Sequence, residues 1–268
     1  MSQDQPREDY QDEERPLLSH LLELRSRLLR AAGVVLVLFL AVYPFREALY
    51  AELAGPLMAV LPEGASMIAT QVATPFLIPL KVALVGAFFV AIPYLLYQIW
   101  AFVAPGLYRH EKQLIWPLLI SSIVLFYLGM AFAYFVVFPL IFQFFAAATP
   151  EGVAMMTDIG EYLSFIMTLF FAFGAAFEVP IATILLVRTG ATTRESLAAK
   201  RPYVIVAAFT VGMLLTPPDV ISQVLLAVPV WLLFELGIFF SRWFGPRDAV
   251  VGDDAEGVGD EGDGDGRE

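Results

Sequence analysis

Six long runs of apolar residues constrain this chain more than any other feature of its sequence. They cover residues 29–48, 76–102, 114–145, 162–187, 202–215 and 220–240. A helix needs about 20 apolar residues to cross the ~30 Å hydrocarbon core of a bilayer. Hydrophobic residues make up 59% of the chain, which exceeds the roughly half that is usual in soluble domains. The sequence therefore predicts an all-α membrane protein with six transmembrane helices.

The runs differ in length, and several contain proline. At ~1.5 Å per residue, the run 202–215 forms a helix of about 21 Å, too short to cross the hydrocarbon core without thinning the bilayer or binding a covering partner. Proline inside a helix removes a backbone hydrogen bond and favours a kink. Such prolines are Pro79, Pro93, Pro117, Pro139, Pro180 and Pro229. We therefore expect a concave bundle in which spans five and six are short.

The two ends of the chain are acidic and poor in apolar residues. Residues 1–15 and 245–268 together account for the net charge of −11. Low hydrophobicity with many like charges is typical of disordered segments. The start of the chain also lacks the basic stretch and short apolar core of a cleavable signal peptide. We predict one membrane domain, 16–244, between two disordered cytoplasmic tails.

Lysine and arginine are distributed unevenly among the loops. The loop 146–161 carries only acidic charges, and the loop 216–219 carries only Asp219. Most cations lie in the alternate segments, at Arg15, Arg25, Arg27, Arg30, Arg109, Lys112, Arg188, Arg194, Lys200, Arg201, Arg242 and Arg247. Because cytoplasmic loops are enriched in Lys and Arg, this pattern predicts a multi-pass inner-membrane protein with both termini in the cytoplasm.

The residue types that catalysis and metal binding require are scarce. The chain has no cysteine and two histidines, and it contains neither an H-E-x-x-H motif nor a G-x-x-x-x-G-K phosphate loop. We therefore expect no cofactor, no metal site, no enzymatic activity and no nucleic-acid partner. An intramembrane enzyme is the weakest alternative, because no nucleophile–base pair can be named.

Ionisable residues are rare inside the apolar runs, and three of them, Glu178, Glu235 and Lys81, are candidates for an ion pathway. Glu178 lies well within the fourth run, where a charge costs at least ~2.5–3.5 kcal/mol, so we expect it to be neutral, paired or facing a wet cavity in the bundle. Glu235 and Lys81 lie nearer span ends, where long side chains can snorkel to the interface. Together they leave open a secondary transporter or channel with Glu178 in its pathway. The absence of internal repeats and of broken mid-membrane helices argues against that alternative.

Two carboxylates lie on the predicted cytoplasmic face. Glu23 precedes the first run, and Glu111 follows the second. On a mostly cationic face, such a pair can accept guanidinium groups through bidentate hydrogen bonds. Local ion pairs are the alternative, with Arg27 for Glu23 and with Arg109 or Lys112 for Glu111.

A further group of residues flanks the turn between the fifth and sixth runs. Met213 and Thr216 are three residues apart and share a helix face. Gln223 follows the turn. Such side chains can contact or hydrogen-bond a neighbouring helix in the membrane, and a bond within the chain is the alternative.

Several short motifs, in the same order along the chain, resemble the TatC family. They are 16–28 (PLLSHLLELRSRL), 74–76 (TPF), 97–111 (YQIWAFVAPGLYRHE), 173–180 (FGAAFEVP), 200–203 (KRPY) and 215–219 (LTPPD). The similarity runs from about residue 16 to residue 244. Each motif alone is weak, but this many in order are highly specific.

The resemblance implies a six-helix, cup-shaped receptor for the twin-arginine signal peptides of folded proteins. Several copies would assemble with the single-span subunits TatA and TatB, and the proton gradient would drive transport. The resemblance implies that the signal-peptide surface contains Glu23, Arg25, Phe102 and Glu111. It implies that the contact with partner helices contains Met213, Thr216 and Gln223, that Glu178 faces the concave side, and that Asp219 lies in an outer loop.

Overall fold

The structure, a computed structural model, describes residues 14–59, 67–103, 115–150, 156–215 and 220–243. These ranges contain helices α1 (Glu14–Val42), α2 (Arg46–Met58), α3 (Thr74–Val103), α4 (Ile115–Phe132), α5 (Phe138–Ala148), α6 (Ile159–Ala176), α7 (Val179–Arg188), α8 (Arg194–Ala199), α9 (Arg201–Leu215) and α10 (Val220–Ser241). A 3-10 turn, Tyr43–Phe45, joins α1 to α2, and a π-helical segment, Ala133–Val137, joins α4 to α5. No β-strand forms within the described ranges, and the all-α prediction is confirmed.

Five of the helical segments in the described ranges are long and apolar enough to cross a membrane, with 39, 30, 33, 30 and 22 residues. The remaining predicted span, α9, has 15 residues, which form about 22 Å of helix. The prediction of a short fifth span is therefore confirmed. The sixth span, α10, is shorter than the first four spans. Its 22 residues nevertheless extend over about 33 Å, which is enough to cross the hydrocarbon core.

The first span is longer than the sequence predicted. The apolar run ends at residue 48, but the helical segment continues through α2 to Met58. Ala54 and Leu57 are buried in the core, at 5% and 2% exposure. This tertiary burial extends the helix beyond the point at which hydropathy alone would end it.

The fourth span is interrupted near its centre. α6 ends at Ala176 and α7 begins at Val179, with Phe177 and Glu178 forming a turn between them. Pro180, in the first turn of α7, has no amide hydrogen and cannot continue the hydrogen-bond ladder of α6. The expectation of unbroken mid-membrane helices is therefore wrong for this span.

The core of the bundle lies where α4, α5 and α6 meet. α4 and α6 come unusually close at two glycines. A β-carbon added to Gly129 would overlap the carbonyl oxygen of Phe173, and one added to Gly174 would lie 2.6 Å from the ring of Phe126. Small residues permit such close approach between membrane helices. By contrast, no residue of α1 whose burial is described is fully buried, and α1 packs mainly along α3.

Asp158 connects the segment before α3 to the start of α6. Its Oδ2 accepts hydrogen bonds from the backbone and the hydroxyl of Thr70, at 2.9 and 2.6 Å. Its Oδ1 caps α6 by accepting from the backbone N–H groups of Gly160 and Glu161, at 2.8 and 3.1 Å. These hydrogen bonds, chiefly those from Thr70, lower the pKa of the Asp158 carboxyl to about 2.

This connection is expected to be sensitive to acid. Because the folded-state pKa of Asp158 is depressed, its stabilising contribution is present above the unfolded pKa of about 4 and is lost as the pH falls toward 2. Thermal unfolding in detergent between pH 5 and pH 2 measures this loss. Asp158→Asn is expected to lower the melting temperature at pH 5 and to flatten its fall in acid, whereas Glu161→Gln keeps the wild-type profile. An unchanged acid profile in Asp158→Asn would contradict the expectation.

Candidate functional site

Arg27 connects α1 to the last turns of α3. Its guanidinium donates to Oε1 of Glu23 through Nε and Nη2, at 2.9 and 2.6 Å. It also donates to Oε1 of Gln98 and to the carbonyl oxygen of Ala101, each at 3.1 Å. The Arg27 side chain is only 18% exposed. The local ion pair that the spacing predicted as an alternative is present, but it belongs to an interhelical network.

Glu23 remains accessible within this network. Its side chain is 35% exposed, and both bonds from Arg27 go to the same oxygen, Oε1. Among the residues that the structure describes, no donor bonds to Oε2. Glu23 can therefore accept a further guanidinium through Oε2 while Arg27 holds the other oxygen.

Phe102 contacts α1 at His20, three residues before Glu23. Its ring stacks on that of His20, with 4.2 Å between ring centroids and 24° between ring planes. Phe102 follows Ala101, which binds Arg27, and His20 lies less than one helical turn before Glu23. The structure thus brings Glu23 and Phe102, which are far apart in sequence, to one surface. We call this surface of Glu23, Phe102, His20 and Arg27 the α1–α3 surface.

The other two residues predicted for this surface are placed differently. Arg25 is exposed, but two residues correspond to about 200° of helix rotation, so it points away from Glu23. Glu111 lies outside the described residues. Sequence reasoning assigned no role here to His20 or Gln98. The three-residue spacing of His20 and Glu23 could have indicated a shared face, whereas the contact of Gln98 with Arg27 depends on tertiary packing.

Glu178 lies in the interrupted segment between α6 and α7. A polar pair joins α3 to α4 inside the bundle, where the indole N–H of Trp100 donates to Ser122 Oγ at 3.2 Å. Ser122 and Trp100 are 1% and 6% exposed. Oε1 of Glu178 is buried and has no hydrogen-bond partner within the described residues. The prediction that Glu178 faces the concave side stays a prediction.

The third predicted group of residues falls at the end of α9 and the start of α10. Met213 is 55% exposed. Gln223 is half-buried against α9, since its α-carbon lies 3.7 Å from the place a β-carbon of Gly212 would occupy. Thr216 and Asp219 lie outside the described residues. Next to α9 is an apolar cavity of about 370 Å³, lined mainly by alanines and valines of α6, α9 and α10.

The two ionisable side chains near span ends both have partners. Lys81 donates to Ser164 Oγ at 2.6 Å, and the Ser164 hydroxyl donates to the carbonyl oxygen of Gly160 at 2.6 Å. Because the only hydroxyl hydrogen of Ser164 is already donated, Lys81 acts as a donor and not as a base. Arg201 binds both oxygens of Glu235, at 2.6 and 2.9 Å. Glu235 is therefore held by an ion pair with Arg201, at the start of α9.

Comparison with protein families gives a match over most of the chain. A family model described as Sec-independent protein translocase protein (TatC) matches residues 19–229. The chain belongs to the TatC family. The resemblance in its motifs is therefore confirmed. As a TatC family member it is a multi-pass inner-membrane subunit of the Sec-independent protein translocase, and not an enzyme.

The similarity to TatC proteins of known sequence is extensive. The chain is 59% identical to TatC of Azotobacter chroococcum mcd 1 over 243 residues, which cover 91% of this chain and 95% of that protein. It is 55% identical to TatC of Escherichia coli strain K12 over 233 residues, covering 87% and 90% of the two chains.

A solved structure supports the same assignment. A crystal structure described as the twin-arginine translocase receptor TatC matches this fold with a TM-score of 0.76 at 39% identity, covering 84% of this chain and 99% of that one. Within this fold the candidate sites are separate, because the α1–α3 surface lies at the opposite end of the helices from the end of α9 and the start of α10. The secondary transporter or channel, considered from Glu178, Glu235 and Lys81, gives way to a protein translocase subunit.

Proposed function

We propose that this chain is the receptor subunit that binds twin-arginine signal peptides of folded proteins on the cytoplasmic face and nucleates assembly with TatA and TatB. The observation that carries the proposal is the α1–α3 surface. There, a partly exposed carboxylate, one oxygen of which receives no donor within the described ranges, shares a surface with an aromatic pair at one end of the bundle. The chain itself, in several copies, would complete the receptor complex.

The chemistry of this surface suits a peptide that carries arginines. A guanidinium of the peptide can bind Oε2 of Glu23, since carboxylate–arginine hydrogen bonds are among the strongest in proteins. The Phe102 and His20 rings offer a flat, partly apolar face for the neighbouring part of the peptide. Glu111 would supply the second carboxylate, and Arg25 would contribute from the exposed side of α1.

The short α9 supports docking of single-span partner helices. At about 22 Å it leaves the hydrocarbon core incompletely spanned, and a partner helix would cover that gap. Met213 and Leu214 are 55% and 75% exposed at its end, and the adjacent cavity is lined by small side chains that permit close helix packing. Met213, Thr216 and Gln223 would contact TatA or TatB there, with Asp219 in the adjoining outer loop.

The distribution of cations supports an orientation with both termini in the cytoplasm. Arg27 and Arg30 lie before the membrane portion of α1, and Arg201 and Arg242 lie at the same end of the bundle. Because positive charge is retained on the cytoplasmic side, this end would face the cytoplasm. Glu178 would then lie on the concave side within the membrane, and transport would draw on the proton gradient.

Site-specific photocrosslinking tests the proposal directly. A photoreactive residue at position 102 is expected to crosslink a twin-arginine peptide, and one at position 213 is expected to crosslink TatA or TatB. Position 45, which is exposed at the opposite end of α1, is the matched control and should capture no peptide. A peptide crosslink that is absent at 102, or that survives replacement of both arginines by lysine, would contradict the proposal.

A further inference from the structure

A cavity of about 330 Å³ lies where α8, the start of α9 and the end of α10 meet. The residues that line it include three arginines, Arg194, Arg201 and Arg242, together with the apolar side chains Ile238 and Phe239. It shares no lining residue with the α1–α3 surface or with the residues predicted at the end of α9 and the start of α10. None of the proposed receptor contacts uses it.

The charge of the cavity is unbalanced. Arg201 and Glu235 neutralise each other through two hydrogen bonds. The guanidinium groups of Arg194 and Arg242 have no ion-pair or hydrogen-bond partner among the residues that the structure describes, and Glu195 is the one remaining acid in the lining. The cavity therefore carries net positive charge with two guanidinium groups available to an anion.

The walls of the cavity are well packed. Leu197 of α8 is buried in a cluster with Val187 of α7 and Phe234 of α10. The hydroxyl of Thr193 caps α8 by accepting from the backbone N–H of Ser196 at 3.2 Å. The packing of Leu197 and the cap from Thr193 both hold α8 in place. Arg194, at the start of α8, therefore has a defined backbone position, and its side chain is half-buried.

The cavity lies at the level of the membrane surface. Tyr203 and Trp243, 75% and 73% exposed, lie at the same end of α9 and α10. Exposed Tyr and Trp at span ends are typical of the interface between the hydrocarbon core and water. Ile238 and the half-exposed Phe239 line the side of the cavity nearer the membrane interior, and the arginines line the other side. Such an arrangement suits a lipid, whose charged headgroup and apolar acyl chains meet at this level.

We propose that this cavity binds the phosphodiester headgroup of an anionic phospholipid. Arg194 and Arg242 would hold the phosphate oxygens through paired N–H donors, and the acyl chains would lie along Ile238 and Phe239. Basic pockets between membrane helices are suited to such headgroups. The placement in the cytoplasmic leaflet rests on the orientation proposed above, whereas the binding site itself does not.

Native mass spectrometry of the full-length chain in detergent, titrated with phosphatidylglycerol, measures this binding. The wild type is expected to retain one phosphatidylglycerol in preference to phosphatidylethanolamine. The double variant Arg194→Gln/Arg242→Gln is expected to lose about thirtyfold in affinity, equivalent to ~2 kcal/mol at ~1.4 kcal/mol per factor of ten. Arg46→Gln, which removes a cation near the opposite end of the bundle, leaves affinity unchanged. If the double variant fails to fold, each single variant is expected to lose about fivefold.

Three results would overturn the proposal. One is equal retention of the two lipids, and another is wild-type affinity in the double variant. The third is full competition by free glycerol phosphate, which would show that the cavity binds a phosphate ion and not a lipid. Peptide crosslinking from position 102 is measured in the same arginine variants, which should crosslink the peptide normally. A loss of lipid binding can then be distinguished from a loss of the receptor function.

Discussion

Replacing Glu23 by glutamine is expected to weaken binding of a twin-arginine signal peptide by about 10- to 100-fold. A hydrogen bond to a charged group contributes about 1.5–3 kcal/mol, and ~1.4 kcal/mol corresponds to a factor of ten in affinity. Glutamine keeps an acceptor for Arg27, which Gln98 and Ala101 also hold. The α1–α3 packing should therefore survive, and the loss should come from the missing carboxylate charge.

A fluorescently labelled peptide titrated against the purified protein measures this effect. Glu47→Gln is the matched control, since it makes the same substitution on a highly exposed residue in the first turn of α2, beyond the far end of α1. It should bind the peptide as the wild type does. Peptide affinity within twofold of wild type in Glu23→Gln would show that this carboxylate does not receive an arginine.

Gly129→Ala is expected to destabilise the fold by about 1–3 kcal/mol, in the range found for overpacked cores. The added β-carbon would overlap the backbone carbonyl oxygen of Phe173 and lie 2.9 Å from its carbonyl carbon. A backbone group cannot rotate away as a flexible side chain can, so α4 and α6 must separate. That separation would loosen the packing around Phe173, which is fully buried at the centre of the core.

Gly33→Ala provides the comparison for this effect. Its added β-carbon meets no atom within 4 Å, and alanine is favoured over glycine inside a helix by roughly 1 kcal/mol. Gly33→Ala should therefore unfold at or above the wild-type temperature, and Gly129→Ala clearly below it. Equal melting temperatures for the two variants would mean that the α4–α6 contact is looser than described.

The membrane topology follows from local properties of the chain. Each apolar run partitions into the bilayer largely by its own length and hydropathy, so the all-α class and the short fifth span could be predicted without tertiary information. The helical segment of the first span continues past the apolar run to Met58, and hydropathy could not indicate this because Ala54 and Leu57 are buried against other helices. The break at Glu178 was missed too, although Pro180 was recognised as a source of a kink.

The candidate site could be predicted only in part. Glu23 was identified from its position on a cationic face, and the spacing of Glu23 and Arg27 predicted their ion pair. Neither signal indicated that Arg27 also holds Gln98, 71 residues further along the chain. The pairing of Arg201 with Glu235, 34 residues apart, was not anticipated for the same reason.

The sequence alone determined the fold class, the order and relative length of the spans, and the family, because hydropathy, proline content and motif order are properties of contiguous segments. Only the tertiary structure decided which side chains share a surface. The stacking of His20 on Phe102, the hydrogen bond from Trp100 to Ser122 and the approach of α4 to α6 at Gly129 all join residues from different helices. Such contacts depend on how the helices rotate and cross, and that geometry is set by packing of the whole bundle.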